Sequence, residues 1–282
     1  MIVDLHTHST ASDGSDSPDR LVELAVETGL GCLALTDHDT QDGIEAARSA
    51  AAVADLELIP GLELSLDYDR GGMHLLVLWL EPGAGPLQDR LAALRAGRDT
   101  RNLQIAGVLT GIGMPVTIEE IEAEAGGGSV GRPHIAAVMV ARGYVPDIRT
   151  AFDLWLGNGK PAYVGRERLD PVEAIVLARQ SGGVPVLSHP HTLGITTYPD
   201  MADLLTELRG AGLVGLEAIY SAYRRHERDG YSDLARRFGL VASGGSDYHG
   251  TYKEGLMLGS GYGDLVVPGS VVEELREHAG DA

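Results

Sequence analysis

The sequence predicts an α/β protein in which a mainly parallel, right-handed wound sheet closes into a barrel. The first observation is that short apolar segments, typical of buried strands, alternate with segments that have the apolar periodicity of helices. The second is that histidine, aspartate and glutamate residues follow many of the apolar segments. Polar side chains at successive strand ends are expected to meet at one mouth of a parallel sheet or barrel.

The N-terminal elements follow this alternation. A strand at residues 2–5 comes first, and Ser17 and Pro18 then begin a helix, because Ser is a good N-cap and Pro is tolerated in the first turn. Gly29 ends that helix, and the second strand ends at His38. The elements predicted next are a helix at about 42–54 and strands at about 56–66 and 73–80.

The same alternation returns in the C-terminal part of the chain. Consecutive strands joined through helices pair in parallel, with right-handed crossovers. The elements predicted there are helices at about 171–180, 201–209 and 231–238, and strands at about 184–187, 214–219 and 240–243.

The middle of the chain departs from this rhythm, because it shows helical patterns and no clear strand. Thr117 begins a capping-box sequence, Pro133 starts another helix, and a short helix is predicted at about 147–156. Three consecutive glycines at 126–128 predict a flexible break. This segment is therefore predicted to be an insertion.

With 282 residues, the chain is long enough for one barrel with an insertion. We predict that residues 1–86 and 166–282 form the barrel and that residues 87–165 form a helical insertion over its mouth. The alternative is that these helices are ordinary peripheral ones.

Composition excludes several classes of partner. The net charge of −19 favours a solvated acidic surface, and long nucleic acid is not expected as a partner because no basic run is present. No segment approaches the roughly 18–20 apolar residues of a membrane span, so no membrane partner is expected.

A strand begins at the N-terminus, which leaves no room for a signal peptide and predicts a cytoplasmic location. The single cysteine, Cys32, excludes intrachain disulfides and is interpreted as a core residue.

The polar residues near the predicted strand ends include six histidines and three carboxylates. They are His6, His8, Asp13, His38, Glu63, His74, His189, Asp247 and His249. Imidazole and carboxylate groups without thiolates suit Mn, Fe or Zn in open catalytic sites better than a closed structural site.

These residues occur in motifs that resemble the PHP (polymerase and histidinol phosphatase) family over the whole chain. The motifs are His6-Thr7-His8, Ser12-Asp13-Gly14, Leu35-Thr36-Asp37-His38, Gly61-Leu62-Glu63, His74, Ser188-His189-Pro190 and Gly245-Ser246-Asp247-Tyr248-His249. Stand-alone phosphoesterases of this family, with activities such as nucleoside 3′,5′-bisphosphate phosphatase and cyclic phosphodiesterase, carry a helical insertion. That insertion contains a short sequence element, which is similar to Gly131-Arg132-Pro133-His134-Ile135-Ala136 in this chain. The resemblance implies a distorted (β/α)7-type PHP barrel with a helical insertion over the active-site mouth that acts as a substrate cap.

The resemblance also implies a centre of two or three divalent transition-metal ions, with Mn favoured over Fe or Zn. The implied ligand sets are His6, His8, Glu63 and Asp247 for one ion, Glu63, His74 and His189 for a second, and Asp13, His38 and His249 for a third. A bridging carboxylate such as Glu63 lets two cations lie roughly 3.5–4 Å apart, with a hydroxide between them as nucleophile. Glu63 and Asp247 are therefore expected to be catalytic.

Four residues are candidates for substrate binding. Arg132 and His134 lie at a predicted helix start, where a guanidinium fork and backbone N–H groups suit a phosphate. The alternative is an exposed arginine on a capped surface helix. Lys160 can reach the same phosphate or be a solvated loop residue. Arg224, in the Arg224–His226 run after a predicted strand, is also expected near the mouth.

His191 marks a departure from part of the family. Several relatives that remove the 3′-phosphate of nucleoside 3′,5′-bisphosphates have a small residue and then Arg after the His-Pro pair, whereas His191 and Thr192 follow Pro190 here. Three roles remain open for His191: a catalytic general acid for the leaving oxygen, a phosphate ligand, or a loop residue.

The predicted function is a metal-dependent phosphoesterase that hydrolyses a small phosphorylated metabolite or nucleotide, such as a nucleoside 3′,5′-bisphosphate, through attack by a metal-bridging hydroxide. The alternative is a cyclic phosphodiesterase that opens a small cyclic phosphate and then hydrolyses the monoester. A non-catalytic sensor is disfavoured by the full ligand set, and a processing nuclease by the acidic composition.

Overall fold

The computed structural model describes residues 1–125, 130–165 and 167–280. The chain forms two compact units, one of Met1–Asp89 with Leu169–Ala282 and the other of Arg90–Arg168. The flexible break predicted at 126–128 lies outside the described residues.

The first unit contains a seven-stranded sheet in which every strand pairs with its neighbour in the chain. The strands are β1 (Val3–Asp4), β2 (Cys32–Leu35), β3 (Glu57–Ser65), β4 (His74–Leu78), β5 (Val184–Leu187), β6 (Gly215–Tyr220) and β7 (Val241–Gly245). All neighbouring pairs are parallel except those of β4, which is antiparallel to both β3 and β5. The prediction of a mainly parallel sheet is therefore confirmed, with one reversed strand.

The sheet is nearly closed where the chain beyond β7 meets the chain beyond β1. Thr7 and Tyr248 form a parallel bridge. The backbone N–H of Asp247 donates to the carbonyl of His6 at 2.9 Å, and the N–H of His8 donates to the carbonyl of Tyr248 at 2.9 Å. These bonds bring the sheet close to a complete barrel and place residues 6–8 beside residues 247–249.

Ten α-helices accompany the strands in the described residues. They are α1 (Pro18–Glu27), α2 (Ile44–Ala54), α3 (Pro86–Gly111), α4 (Ile118–Glu124), α5 (Arg132–Ala141), α6 (Ile148–Ala151), α7 (Pro171–Gln180), α8 (Tyr198–Ala211), α9 (Arg225–Arg237) and α10 (Ser270–Arg276). A π-helical turn at Phe152–Leu156 extends α6. The described part of the second unit contains no strand, as predicted for the middle of the chain.

The helix starts show which local signals were decisive. Ser17 caps α1 and Thr117 forms the predicted capping box of α4. The predicted start of α9, at about residue 231, was wrong, because the helix begins at Arg225. Its first turns consist of charged and polar residues, so the apolar periodicity on which the prediction relied does not reveal them. The helix α8 also begins earlier than the predicted residue 201. It starts at Tyr198, and the side chain of Thr197 acts as its N-cap by accepting a hydrogen bond from the backbone N–H of Asp200.

Each unit has its own apolar core. Within the barrel, Cys32 is fully buried beside residues of β1, β4 and β5, as predicted. In the second unit, residues from α3, α4 and α5, including Ile105, Ile121 and Ile135, form a separate core. Within the described ranges, no helix combines the length and apolar character needed to cross a membrane.

Candidate metal centre

The structure brings together all nine side chains that were predicted as metal ligands. They form four overlapping groups, and within each group the candidate ligand atoms lie within 4.8 Å of one another. The groups are His8, Asp13, His38 and His249; His6, His8 and Asp247; His6, Glu63 and His189; and His38, Glu63 and His74. Residues from distant parts of the chain meet here because most of them follow a strand of the barrel, whereas Glu63 lies near the end of β3 and His74 begins the reversed strand β4.

Glu63 lies at the centre of this cluster and is 1% exposed. Its Oε1 is 2.9 Å from Nε2 of His189 and 3.1 Å from Nδ1 of His74. Its Oε2 faces three other imidazoles, each at 3.3 Å, those of His6, His8 and His38. The two carboxylate oxygens therefore face different sets of imidazoles, which is the arrangement of a carboxylate that can bridge two cations.

Asp13 lies at the open side of the cluster, with a side chain that is 54% exposed. Its Oδ1 is 3.3 Å from Nε2 of His249 and 3.7 Å from Nδ1 of His8. Its Oδ2 is 3.8 Å from Nε2 of His38. This group is the part of the cluster that solvent can reach most easily.

Asp247 lies between the imidazoles of His6 and His8 and that of His249. Its Oδ1 is 3.4 Å from Nε2 of His8 and 3.5 Å from Nε2 of His6. The Tyr220 hydroxyl donates to its Oδ2 at 2.8 Å, and the Lys253 ammonium donates to the same oxygen. One oxygen is thus held by the protein while the other faces the imidazoles.

Two cluster residues have unusual backbone conformations. His189 has φ +24° and Asp247 has φ +56°, in a region that favours glycine. Such strained residues are typical of functional sites, where surrounding contacts hold them.

The donor set fits divalent transition-metal ions. Among the described residues, four buried imidazole nitrogens have no hydrogen-bond partner: Nε2 of His6, Nδ1 and Nε2 of His8, and Nδ1 of His38. Buried polar atoms nearly always have partners, so nitrogens that face carboxylate oxygens without bonding them indicate a place for cations. Imidazole nitrogen with carboxylate oxygen suits Mn, Fe and Zn.

Electrostatic coupling within the cluster is strong. Burial alone would lower the pKa of His8, but Asp247 and Glu63 raise it to about 9. Burial would raise the pKa of Glu63, but the imidazoles of His6, His38 and His74 hold it well below its usual range. Burial lowers the pKa of His38 to about 4, despite the nearby Glu63. The cluster therefore mixes charged and neutral imidazoles around ionised carboxylates.

Three residues that contact the cluster were missed by sequence reasoning. Tyr220 and Lys253 hold Asp247, and the fully buried Glu217 contacts His6 and His189. Glu217 lies inside the predicted strand at 214–219, and a charged residue within an apolar strand was the available signal. Lys253 lies in a polar loop, which offered no signal.

Three predicted substrate residues belong to the second unit. The Arg132 guanidinium donates to the carbonyl of Leu156 at 2.9 Å and lies 5.3 Å from the ring centroid of Tyr163. Nδ1 of His134 accepts from the N–H of Gly131 at 3.0 Å, and Lys160 is exposed. Their contact with substrate stays a prediction.

The other two candidates lie in the barrel unit. The ring centroid of His191 is 6.1 Å from that of His189, and its Nδ1 is 3.0 Å from the hydroxyl of Tyr223. Burial and the neighbouring His189 lower the pKa of His191. Arg224 is exposed at the start of α9, where its backbone N–H donates to Glu227. The structure therefore brings His191 next to the cluster, and its role stays a prediction.

Comparison with known proteins identifies the family. A family model described as PHP domain matches residues 4–95. A Haemophilus influenzae protein named 5′-3′ exoribonuclease is 35% identical over 87% of this chain and 89% of its own length. A Chromobacterium violaceum 3′,5′-nucleoside bisphosphate phosphatase is 30% identical over 91% of this chain and 90% of its own length. An Eggerthella lenta phosphoribosyl 1,2-cyclic phosphate 1,2-diphosphodiesterase is 32% identical over 89% of this chain and 95% of its own length.

A solved structure agrees with this relationship. A Bifidobacterium adolescentis protein described as a metal-dependent phosphoesterase superposes with a TM-score of 0.81 at 28% identity, covering 98% of this chain and 96% of that one. The barrel, the cluster at its mouth and these relatives together establish that the chain belongs to the PHP family and is a phosphoric ester hydrolase.

Proposed function

We propose that this phosphoesterase uses two or three divalent transition-metal ions, with Mn favoured, to release phosphate from a small phosphorylated metabolite or nucleotide. A nucleoside 3′,5′-bisphosphate is the leading substrate. The observation that carries the proposal is Glu63, whose two oxygens face separate sets of imidazoles. The similarity to the Chromobacterium violaceum bisphosphate phosphatase supports the choice of substrate.

The ligand sets that we propose are His6, His8, Glu63 and Asp247; Glu63, His74 and His189; and Asp13, His38 and His249. The distances support sharing between neighbouring sets, because His8 and His38 each face both Glu63 and Asp13. Bound cations would supply a hydroxide nucleophile and neutralise charge on the phosphoryl oxygens. Glu63 and Asp247 act in catalysis by holding these ions.

The remaining residues act on the substrate. The ring of His191 is partly buried against Tyr223 and lies beside His189, from which it can bind a phosphate oxygen or give a proton to the leaving oxygen. Arg224 lies at the start of α9, just beyond the end of β6. Arg132, His134 and Lys160 of the insertion bind a second phosphate or another polar group of the substrate.

Two other activities are favoured by particular observations. The Eggerthella lenta relative is named for cleaving a cyclic phosphate, which supports a cyclic phosphodiesterase as the second candidate. The Haemophilus influenzae relative is named for exoribonuclease activity, which supports ribonucleotides as substrates. The net charge of −19 disfavours long chains among them.

The deciding experiment adds Mn and measures the products, which are inorganic phosphate, ring-opened phosphate monoester and mononucleotide, formed from a nucleoside 3′,5′-bisphosphate, a ribose cyclic phosphate and a short 5′-phosphorylated oligoribonucleotide. The proposal predicts that kcat/KM is highest for the bisphosphate. It also predicts that a chelator abolishes turnover of every substrate. Preference for the cyclic phosphate would establish the second candidate, and stepwise release of mononucleotides would establish the exoribonuclease. Full turnover after chelation would overturn all three.

A further inference from the structure

Glu217 is a fully buried carboxylate in β6, and it lies outside the four ligand groups. Its Oε1 lies 2.9 Å from Nδ1 of His6, and its Oε2 accepts from the backbone N–H of His189 at 2.7 Å. One side chain therefore contacts two residues of the proposed metal centre through two different oxygens. A charge is expensive to bury, so such a position calls for a specific role.

The contact with His6 selects one form of the imidazole. A carboxylate accepts hydrogen bonds, so Nδ1 of His6 carries the proton and donates it to Glu217. The lone pair is then on Nε2, which faces Oε2 of Glu63 at 3.3 Å and Oδ1 of Asp247 at 3.5 Å. The opposite tautomer would aim an N–H at the place where a cation would bind.

The contact with His189 holds a strained backbone. His189 has φ +24°, and the bond from its N–H to Glu217 fixes this peptide at the end of β5. Nε2 of His189 then lies 2.9 Å from Oε1 of Glu63, the oxygen opposite the one that His6 faces. Glu217 thus positions one imidazole on each side of Glu63.

The third group has support of its own. Nδ1 of His249 donates to the carbonyl of Asp247 at 2.9 Å, which leaves Nε2 of His249 facing Asp13. This support is independent of Glu217, so the two parts of the centre can be separated by experiment.

We propose that Glu217 is a positioning residue that sets the metal affinity on both sides of Glu63, while the ion held by Asp13, His38 and His249, which do not bond to Glu217, is affected much less. This inference rests on the proposed metal centre. Carboxylates that orient metal-binding imidazoles typically change affinity by about 10- to 100-fold when removed.

The test compares Glu217→Ala, Glu217→Gln and a control, Ser243→Ala. Ser243 is buried and is the register partner of Glu217 in the β6–β7 pair, and its hydroxyl makes no hydrogen bond among the described residues, so its substitution perturbs the same part of the barrel without removing a hydrogen bond to an imidazole. Metal-free proteins are titrated with Co²⁺, whose visible spectrum reports the ligand geometry, and bound ions are counted by elemental analysis.

Glu217→Ala should weaken the tightest ions by about 10- to 100-fold, lose at least one ion and retain the spectrum of the remaining group. Glu217→Gln should be intermediate, because its amide oxygen can accept from His6 while its NH₂ cannot accept from the N–H of His189. Ser243→Ala should match wild type. If the alanine variant does not fold, the glutamine variant carries the test.

Wild-type affinity and spectrum in folded Glu217→Ala or Glu217→Gln would overturn the inference and leave the proposed function intact. Equal weakening of every ion, together with equal destabilisation of the metal-free protein, would show a merely structural role and also overturn it. Wild-type protein that binds no ions would overturn the proposed function itself, and the inference with it.

Discussion

Glu63 illustrates how much of the site depends on single side chains. It is almost fully buried, yet surrounding imidazoles hold its pKa well below the usual range, so it remains ionised. A glutamine would keep the shape of this side chain but remove the charge that two cations share. Since the barrel core is built from separate apolar residues, loss of this charge affects the chemistry more than the fold.

We therefore expect Glu63→Gln to lower kcat by roughly 10³-fold or more, because metal ions contribute several kcal/mol to such reactions. The metal-free variant should still fold, because the apolar core is unchanged, but its unfolding temperature should be lower than that of metal-free wild type, because the ionised Glu63 is paired with the surrounding imidazoles. Glu57→Gln makes the same change at the start of the same strand, where Glu57 pairs with Arg276, and it should keep full activity. Near-native turnover in Glu63→Gln would show that the bridge is assigned wrongly.

The histidines of the centre predict a pH dependence. A histidine whose pKa is raised by folding stabilises the fold below its unfolded pKa of 6.5, and this stabilisation is lost as the pH rises through the folded value. For His8 that window extends from 6.5 to about 9 in the metal-free protein. Metal ligation requires the neutral imidazole, so binding at neutral pH must displace the proton.

We expect Zn²⁺ or Mn²⁺ added to metal-free protein at neutral pH to release roughly one proton or more per chain, measured with an indicator in weak buffer. Proton release should fall above a pH of about 9, where His8 is already neutral. His8→Gln should release fewer protons. If wild type releases none at neutral pH, His8 is neutral before the metal binds.

At the scale of elements, the insertion should determine substrate choice. Arg132 is the test residue, and its half-buried guanidinium donates to Leu156 and stacks near Tyr163 within the second unit. Arg132→Ala should raise KM for a bisphosphate by roughly 10- to 150-fold, the cost of a charge-assisted hydrogen bond. A small monophosphate should be affected much less.

The control for Arg132→Ala is Arg142→Ala. Arg142 caps the C-terminal end of the same helix and pairs with Glu120 in solvent, so its loss should leave KM unchanged for both substrates. Unfolding curves of Arg132→Ala show whether the lost packing of Arg132 on Tyr163 destabilises the protein and so contributes to the change in KM. An equal, small effect of Arg132→Ala on both substrates would exclude Arg132 from the phosphate site.

Elements also show what the sequence could and could not predict. The nine ligand candidates occur in recognisable motifs at or near strand ends, and the structure clusters all of them. The reversed direction of β4 was not predicted, because an apolar buried strand looks the same in parallel and antiparallel pairing; the available signal was His74, which precedes its apolar segment instead of following it. The early start of α9 and the contacts of Glu217 and Lys253 depend on tertiary neighbours that local periodicity does not report.

At the scale of the whole molecule, the charge of −19 bears on substrate length. Each additional phosphate of an RNA chain meets an acidic protein, so longer chains should bind more weakly and added salt should relieve the repulsion. We expect kcat/KM to fall as 5′-phosphorylated oligoribonucleotides lengthen, and to fall less steeply at high salt. A rise with length would indicate a binding path for RNA along the protein surface.

The metal centre links strand ends from most of the barrel, so its ions should stabilise the molecule as well as activate it. An ion present at 100 times its Kd adds about 2.7 kcal/mol to the free energy of unfolding, or roughly 5–11 °C in Tm for a protein of this size. We expect purified protein to contain two or three transition-metal ions per chain, to lose activity and Tm on chelation, and to regain both with Mn²⁺.

Calcium is the matched control for this experiment, because it has the same charge but prefers six to eight oxygen ligands, whereas six of the nine clustered side chains here are histidines. Calcium at the same concentration should therefore raise Tm much less than Mn²⁺ and restore no activity. Equal stabilisation by both ions would mean that cations act by screening the acidic surface. Stabilisation by Mn²⁺ alone, lost in Glu63→Gln, would locate the effect at the barrel mouth.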